Sequence, residues 1–337
     1  MTDWSDVVVR AKGLSAHLMQ PAQLTPLCGA LNIGVLGDQM AAMDLVPTPA
    51  DGVPLDEYAL ELALRRRAGA RLRILARWAG PRVTHLTPLF EDEDRRALRA
   101  LVRGAVAGAP PDERLHGLVP TPALPLRALE RLSRAGDLGT IGALLLAWRH
   151  PFATVIAAEA MRQAPDLFHL ETAMARVFAE RARDAARVTR SAMRLFVERT
   201  IDLENLWACL VIADHHPDAE AATIFIDGGA IVQVADLRAA AGARSRDELV
   251  ARLAQRVRRT PLAAALHAGT HPADDGALAA MVAEFRTVAR AEPLGLAPVI
   301  HFVLRQRAEL RSLMRIIWSV SLGVPGAVIA GALGASA

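Results

Sequence analysis

One helical pattern occurs three times in this chain of 337 residues. In each copy an acidic residue precedes four apolar positions spaced i, i+3, i+4 and i+7, which is the spacing of one buried helix face. The acids stand at residues 94, 202 and 309, so the copies lie about 108 residues apart. This period is too long for a solenoid repeat and predicts a small domain that occurs three times, as in a scaffold that surrounds or bridges other components. The copies are Asp94 with Leu98, Leu101, Val102 and Ala105; Asp202 with Leu206, Cys209, Leu210 and Ala213; and Glu309 with Leu313, Ile316, Ile317 and Val320.

The composition favours helices over strands. Much of the apolar content is alanine and leucine, while aromatic residues make up 4% of the chain and Tyr58 is its single tyrosine. Alanine, leucine, arginine and glutamate favour helices, whereas strands favour β-branched and aromatic residues. The segment Thr223–Ile226 is the best candidate for a strand, but it is short, and a simple lead into the following turn is the alternative. Because the chain exceeds the usual domain size of about 100–200 residues, the sequence predicts an all-α protein with two or three cores.

Lysine and cysteine are scarce, which excludes some function classes. Lys12 is the only lysine and no glycine-rich loop precedes it, so the chain has no P-loop for a nucleotide. Cys28 and Cys209 lie in helical apolar patterns and are predicted to be small core residues, since a disulfide or metal framework would need more cysteines. No local catalytic motif is recognisable. We expect a protein without a cofactor or metal ion that is not an enzyme.

The two ends of the sequence bear on its location. Residues 4–13 mix polar and apolar side chains, unlike a secretory signal, so the cytosol is the expected compartment. No residue from Ile316 to Ala337 is charged, and this stretch is long enough to span a bilayer. It contains Pro325 and several glycines, however, and its first turn belongs to the third copy of the helical pattern. We favour a last core helix with an apolar tail, and a membrane span is the alternative.

The predicted elements divide the chain into four segments. The first two repeats open with a Leu-Glu pair that ends at Glu61 and Glu171, whereas Ala279 replaces the glutamate in the third. Because the third repeat is truncated, the N-terminal helices are expected to complete it. The segments are 1–54 with N-terminal helices, 55–160 with the first helical repeat, 161–270 with the second, and 271–337 with the truncated third repeat and the apolar tail.

The order of these elements resembles that of a known family, the C subunits (in prokaryotes) and d subunits (in eukaryotes) of V/A-type rotary ATPases. The resemblance covers essentially the whole chain and rests on the order and threefold recurrence of the motifs. Arg10, Leu14 and Leu18 fit the opening helix of that family. The other stretches that carry the resemblance are Ile201-Asp202-Leu203-Glu204-Asn205-Leu206, Asp227-Gly228-Gly229-Ala230-Ile231 and Arg305-Gln306-Arg307-Ala308-Glu309-Leu310-Arg311-Ser312-Leu313.

The resemblance implies three similar helical-bundle units arranged as a pseudo-threefold funnel. It also implies a non-catalytic central-stalk protein of the rotor that sits on the membrane proteolipid ring, receives the end of the central rotor shaft and passes torque for ion transport. The chain would then be a peripheral protein on the cytoplasmic side of the membrane. A free-standing all-α interaction module is the alternative interpretation, and an all-α magnesium-dependent isoprenoid enzyme is a third.

The chain departs from the family pattern at a few positions. Ala97 stands in the first repeat, and Ser312 in the third, where the second has Asn205. Thr121-Pro122 stands where the second repeat has Gly228-Gly229. Residues 326–337 replace the charged C-terminal end of the family.

Each copy of the pattern begins with a carboxylate that is expected to be at least half-buried and therefore paired. Asp94, Asp202 and Glu309 are predicted to fix helix packing through hydrogen bonds or arginine partners, and Asn205 is assigned to the same polar contact. The remaining repeat positions are also expected to be structural, with the two glycines in a tight turn. They are Glu61, Glu171, Leu98, Leu206, Leu313, Gly228 and Gly229.

Two acidic groups suggest metal chemistry. The run 91–94 resembles the aspartate-rich sequence of helical prenyl-transferring enzymes, but Arg95 and Arg96 stand where the next magnesium ligands would lie one turn on. An acid-rich first helical turn is the favoured interpretation. Asp214, His215 and His216 are residue types that bind zinc, but adjacent histidines on a loop point apart, so we expect an exposed polar loop.

A basic run suggests contact with an anionic partner. Apolar leucines interleave with it, so a solvated helix face is the favoured interpretation. No aromatic stacking set accompanies the arginines, so we expect no nucleic acid partner, and an acidic protein or lipid headgroups are the alternative. The run consists of Arg65, Arg66, Arg67, Arg71, Arg73 and Arg77.

Overall fold

The structure is a computed structural model that describes residues 3–48, 55–189, 192–215, 220–268 and 275–335. Within those ranges every regular element is a helix and no strand occurs, which confirms the prediction of an all-α protein. The strand candidate Thr223–Ile226 is wrong, because Ala221–Ile224 forms one helical turn. The Asn205 side chain bonds both the backbone N–H and the C=O of Ile226, so the single N–H donor of this residue is not free for a strand partner.

A long helix followed by a second long helix occurs three times along the chain. Before the first such pair lie α1 (Ser5–Ala16), α2 (Pro21–Leu24) and α3 (Ile33–Ala42). The first pair is α4 (Glu57–Ala79) and α5 (Thr87–Val106), followed by α6 (Leu126–Ser133), α7 (Leu138–Ala147) and α8 (Ala153–Ala160). The second pair is α9 (Leu167–Thr189) and α10 (Ala192–His215), followed by α11 (Ala221–Ile224), α12 (Val234–Ala241), α13 (Arg246–Val257) and α14 (Leu262–Ala268). The third pair is α15 (Asp275–Ala291) and α16 (Ala297–Ser321), followed by α17 (Gly326–Ala335). Short 3-10 helices occupy Thr25–Gly29, Gly80–Leu86 and Glu113–Leu115.

Local sequence signals set the ends of several long helices. The Asp56 carboxylate accepts a hydrogen bond from the Ala59 N–H at 2.7 Å and begins α4. Pro88 and Pro298 occupy the first turns of α5 and α16, where the missing proline N–H has no helical partner to lose. Gly80 ends α4 with a φ of 55°, a conformation that favours glycine.

Each copy of the helical pattern lies on the second long helix of a pair and faces the core. Leu98 in α5, Leu206 in α10 and Leu313 in α16 are at most 2% exposed. The other apolar positions of the three copies are also buried, except Ala213, which is partly buried. The sequence pattern therefore identified the core-facing surface of all three helices.

The long helices pack across the predicted segment boundaries. Helix α4 packs against α16 and α1, while α5 packs against α9. Helix α1 also packs against α16, so the N-terminal helices contact the last long pair. The four segments and the funnel arrangement stay predictions.

The uncharged C-terminal stretch contains two helices rather than one. Helices α16 and α17 lie on either side of Gly323, whose φ is 69°. Ile329 and Leu333 of α17 are buried, and this helix packs against Thr25–Gly29. In the part of the chain that the structure describes, no helix combines the length and apolarity needed to cross a membrane.

We predict that each copy of the pattern contributes equally to the folded core. Leu98→Ala, Leu206→Ala and Leu313→Ala should each lower the free energy of unfolding by about 2–5 kcal/mol, because each leaves a cavity in a buried face. Leu146→Ala is the control, since that side chain is 47% exposed and should change stability by less than about 0.5 kcal/mol. Urea denaturation followed by circular dichroism measures the four values. If one of the three variants is as stable as the control, its copy of the pattern does not contribute to the core, and the prediction is wrong for that copy.

Candidate functional site: a buried ionic cluster

Four long helices meet at a group of charged side chains inside the protein. Helix α5 supplies six of them, and α9, α10 and α16 supply one each. All are buried except two arginines, which are partly exposed. The group, here called the ionic cluster, consists of Asp92, Glu93, Arg95, Arg96, Arg99, Arg103, Glu171, Glu204 and Arg307.

Arg95 lies at the centre of the ionic cluster and is fully buried. Its Nη1 donates to Glu204 Oε1 at 2.6 Å, and its Nη2 donates to Asp92 Oδ1 at 2.8 Å. The guanidinium also lies over the Phe178 ring, 5.1 Å from the ring centroid, which is a favourable cation–π distance. One arginine of α5 therefore contacts both long helices of the second pair.

Two further arginines extend the ionic cluster to its neighbours. Arg307 of α16 donates from Nε to Glu93 at 2.6 Å and from Nη2 to Asp92 at 2.8 Å. Arg103 of α5 donates from Nη2 to Glu171 of α9 at 2.6 Å. The helices of the first, second and third pairs are thus joined by charge-assisted hydrogen bonds, which are stronger than neutral ones.

The arginines keep the buried carboxylates ionised. Burial alone would raise the pKa of Glu204, but the charges of Arg95 and Arg99 outweigh burial and hold that pKa well below its usual range. Arg96, Arg307 and Arg95 do the same to the pKa of Asp92. These two carboxylates are therefore charged at neutral pH, although both are buried.

The ionic cluster is expected to serve specificity of packing more than net stability. Taking charges out of water costs about as much as their mutual attraction returns, whereas removing one partner of a buried pair is strongly destabilising. The Nε atoms of Arg95 and Arg99 are buried and have no hydrogen-bond partner in the described chain, which adds to the cost. An arrangement of these helices that separates the pairs would leave buried charges unpaired and is therefore disfavoured.

A cleft of about 260 Å³ opens beside the ionic cluster. One wall is the face of α5 that carries Arg96, Ala100 and Arg103. The other walls come from the loop residues 116–119 and from Arg311 of α16. The cleft thus connects the buried charges of the cluster to the surface.

Two of the acids that open the helical pattern hold the loop that follows their helix. Asp202 accepts hydrogen bonds from the backbone N–H groups of Ala230, Ile231 and Val232 at 3.1, 2.9 and 3.0 Å. Asp94 accepts a hydrogen bond from the Thr121 hydroxyl. Burial raises the pKa of both carboxyl groups, although these hydrogen bonds favour the ionised form.

Glu309, the acid of the third copy, holds a segment near the N-terminus instead. It accepts a hydrogen bond from the Met19 N–H at 2.8 Å and forms an ion pair with Arg71 at 2.9 Å. All three acids therefore bond a segment outside their own helix. Asp94, by contrast, has no arginine among its partners in the described ranges and lies 3.4 Å from the His150 ring instead.

Asn205 of α10 bonds the loop that Asp202 also holds, and the two glycines lie within that loop. Asn205 Nδ2 donates to the Ile226 carbonyl at 2.8 Å, and its Oδ1 accepts from the Ile226 N–H at 2.9 Å. Gly228 has a φ of 113°, which favours glycine, and a Cβ atom on Gly229 would overlap the Asp202 carboxylate. Glycine is therefore required at both positions, at Gly228 by the backbone conformation and at Gly229 because the backbone passes close to the Asp202 carboxylate.

Glu61 and Glu171, which open the first two repeats, take different partners. Glu61 accepts from the Gly117 N–H at 3.0 Å and from Trp318 Nε1 at 2.8 Å, and it lies 2.8 Å from His116 Nδ1. Glu171 belongs to the ionic cluster through Arg103. The two glutamates thus occupy equivalent positions in the first two repeats but bond different partners.

The acidic groups that suggested a metal site have protein partners. Within the run 91–94, Glu91 pairs with Arg181 at 2.6 Å, and Asp92 and Glu93 pair with arginines of the ionic cluster. Asp214 pairs with Arg246 at 2.5 Å, and residue 216 lies outside the described residues. In the ranges that the structure covers, no group of histidine, cysteine and acidic residues is placed to hold a metal ion.

The basic run of α4 faces two ways. Arg65 is buried and donates to the Leu115 carbonyl at 2.9 Å, and Arg71 is buried against Glu309. Arg66, Arg73 and Arg77 are exposed. Only these three exposed arginines fit the predicted solvated face, because Arg65 and Arg71 donate hydrogen bonds to buried acceptors.

Sequence reasoning missed the central residues of the ionic cluster. Arg95 precedes Leu98 by three residues and therefore lies on the buried stripe of α5, and Glu204 lies between the buried Leu203 and Leu206 of α10. Charges of opposite sign on the core faces of two helices were the available signal. Their pairing depends on helix packing, which the linear pattern does not contain.

Comparison with known proteins identifies the family of this chain. Residues 7–331 match the family model described as ATP synthase (C/AC39) subunit, so the chain belongs to that family. It is 28% identical over 274 residues to the C subunit of the A-type ATP synthase of Haloferax volcanii, an alignment that covers 79% of this chain and 77% of that protein. The resemblance to the C and d subunits of V/A-type ATPases is therefore confirmed.

We predict that Glu204→Gln destabilises the protein strongly at neutral pH. The substitution leaves Arg95 and Arg99 buried without their carboxylate and should lower the free energy of unfolding by about 3–5 kcal/mol. Glu198→Gln on the same helix is the control, because its partner Arg194 lies near the surface and the loss should stay below about 1 kcal/mol.

Wild type and Glu204→Gln should also respond differently to acid. Because the pKa of Glu204 in the folded protein lies below its ordinary value of 4.5, its ion pairs contribute stability that is present above about pH 4.5 and is lost as the pH falls further. The difference between wild type and Glu204→Gln should therefore shrink below about pH 4.5, as measured by urea denaturation across a pH series. A difference that stays constant through acid would contradict the assignment of an ionised Glu204.

Proposed function

We propose that this chain is a non-catalytic central-stalk subunit of a V/A-type ATPase. In this role it is the socket that couples the rotor shaft to the membrane proteolipid ring, so that torque passes between them during ion transport. Its partners as a member of this family are other ATP synthase subunits. In this role the chain contacts both the shaft and the ring and lies peripherally on the cytoplasmic side of the membrane.

The observation that carries the proposal is the ionic cluster between the three pairs of long helices. A part that transmits torque must resist rotation of its units against one another. Arg95 and Arg307 connect α5 to α9, α10 and α16, and a relative rotation of these helices would leave buried charges unpaired. The cluster thus opposes the deformation that a torsional load would cause.

The positions of the acids support the same role. Asp202 and Asp94 hold loops against their own helical groups, whereas Glu309 of α16 holds the segment after α1. The first and last long segments of the chain are therefore tied to each other, which suits a closed socket better than an open array. Each of these carboxylates is engaged by backbone or side-chain donors of the protein itself, which suits a role in packing better than acid–base chemistry.

Isolation of the intact complex tests the proposal. The tagged full-length chain, drawn from its native membranes in mild detergent, should bring along the shaft subunits, the proteolipid and the catalytic ATPase subunits, all identified by mass spectrometry. Recombinant shaft subunits alone should also bind the purified chain. A soluble monomer that recovers none of these subunits would overturn the proposal and favour a free-standing interaction module.

Cross-linking then separates a rotor component from a stator component. A disulfide between this chain and the shaft should leave ATP-driven ion transport intact, because both parts would turn together. A disulfide between this chain and the stator should block transport and reverse on reduction. If the disulfide to the shaft blocks transport and the disulfide to the stator does not, the chain belongs to the stator and the proposal is wrong.

A further inference from the structure

The cleft beside the ionic cluster carries an excess of positive charge. Arg96, Arg103 and Arg311 line it from two helices. Glu93 is the acidic residue of the lining, and it is already paired with Arg307. Behind the cleft, the cluster itself contains five arginines for four carboxylates. A negative group that entered the cleft would therefore meet a net positive surface.

Arg96 has the least complete set of partners in the ionic cluster. Its Nε donates to Asp92 at 3.1 Å, and neither Nη group has a hydrogen-bond partner among the described residues. The Arg96 side chain is 23% exposed and lines the cleft. Burial, together with the charges of Arg307, Arg95 and Arg311, lowers its pKa to about 10 despite the opposing effect of Asp92. Both the geometry and the charge balance leave this guanidinium able to take another anion.

We infer that the cleft receives a carboxylate side chain from an acidic segment of the rotor shaft. This inference rests on the proposed function, because it names the chemistry by which the socket holds the shaft. The guanidinium of Arg96 would bind the carboxylate through its two Nη groups, with Arg103 and Arg311 adding positive charge from either side.

The apolar part of the cleft favours a protein carboxylate over free phosphate. Ala100, Leu118 and Val119 stand among the charged groups of the lining. An aspartate or glutamate side chain brings methylene groups that cover such a surface, whereas a hydrated phosphate ion does not. The volume of about 260 Å³ also suits one or two side chains rather than a nucleic acid strand.

Two variants remove the proposed site in different ways. Arg96→Gln removes the guanidinium, while Asp92 keeps Arg95 and Arg307 as partners. Ala100→Glu places a carboxylate of this chain in the cleft, four residues after Arg96 and three before Arg103 on the same helix, where it can pair with both without loss of helix stability. Circular dichroism melts verify that each variant is folded before binding is measured.

Matched controls account for the change of charge alone. Arg66→Gln removes an exposed arginine of α4, and Ala283→Glu adds a carboxylate to an exposed position of α15. Binding of the purified shaft subunits to each protein is measured by biolayer interferometry at low and high salt. Arg96→Gln and Ala100→Glu should each weaken binding at least about tenfold, and each control should change it less than about twofold. The wild-type affinity should also fall more steeply with salt than that of Arg96→Gln.

The outcomes separate this inference from the proposed function. Wild-type binding to the shaft with unchanged affinity in both cleft variants would overturn the cleft site and leave the socket intact. Absence of wild-type binding would overturn the socket and the inference together. If inorganic phosphate, measured by calorimetry, binds wild type but not Arg96→Gln and does not displace the shaft, the cleft is an anion site unrelated to the shaft, and the inference is wrong.

Discussion

The arrangement of the long helices depends on the buried guanidinium of Arg95. Its contacts with Asp92 and Glu204 join α5 to α10, and Arg307 adds α16 through the same aspartate. Apolar side chains that slide against one another still meet apolar neighbours, although the imperfect fit costs free energy. A buried charge that is displaced from its partner costs more, because it is left unpaired in the core. The buried leucine faces thus supply stability, and the ionic cluster fixes the relative positions of the helices that carry them.

The acids recur at regular spacing in the sequence, but in the structure they do not all make the same contact. Asp94 and Asp202 each hold the loop that follows their own helix, through a threonine hydroxyl in one case and backbone amides in the other. Thr121 and Gly229 are different residues, yet each meets the acid of its own repeat. Both repeats therefore bond their acid to the following loop, although a hydroxyl makes the contact in one and backbone N–H groups in the other. Glu309 makes its contact with the N-terminal segment, since no described loop of comparable length follows α16.

The sequence was sufficient to predict the class of fold and the buried faces, but not the site. Leu98, Leu206 and Leu313 are buried as predicted because helix periodicity depends only on local spacing. The strand at Thr223–Ile226 failed because a distant side chain, Asn205, decides the backbone there. The ionic cluster was out of reach for the same reason, since the pairs that join its helices link residues far apart in sequence.

The central claim is that the ionic cluster makes the three pairs of long helices one cooperative body. Native-state hydrogen exchange followed by mass spectrometry measures this directly, because it reports the free energy at which each helix opens. We predict that the slowest amides of α5, α9, α10 and α16 all exchange at a single free energy, equal to that of global unfolding. If the amides of α9 and α10 exchange at a clearly lower free energy than those of α16, the units open separately and the claim is wrong.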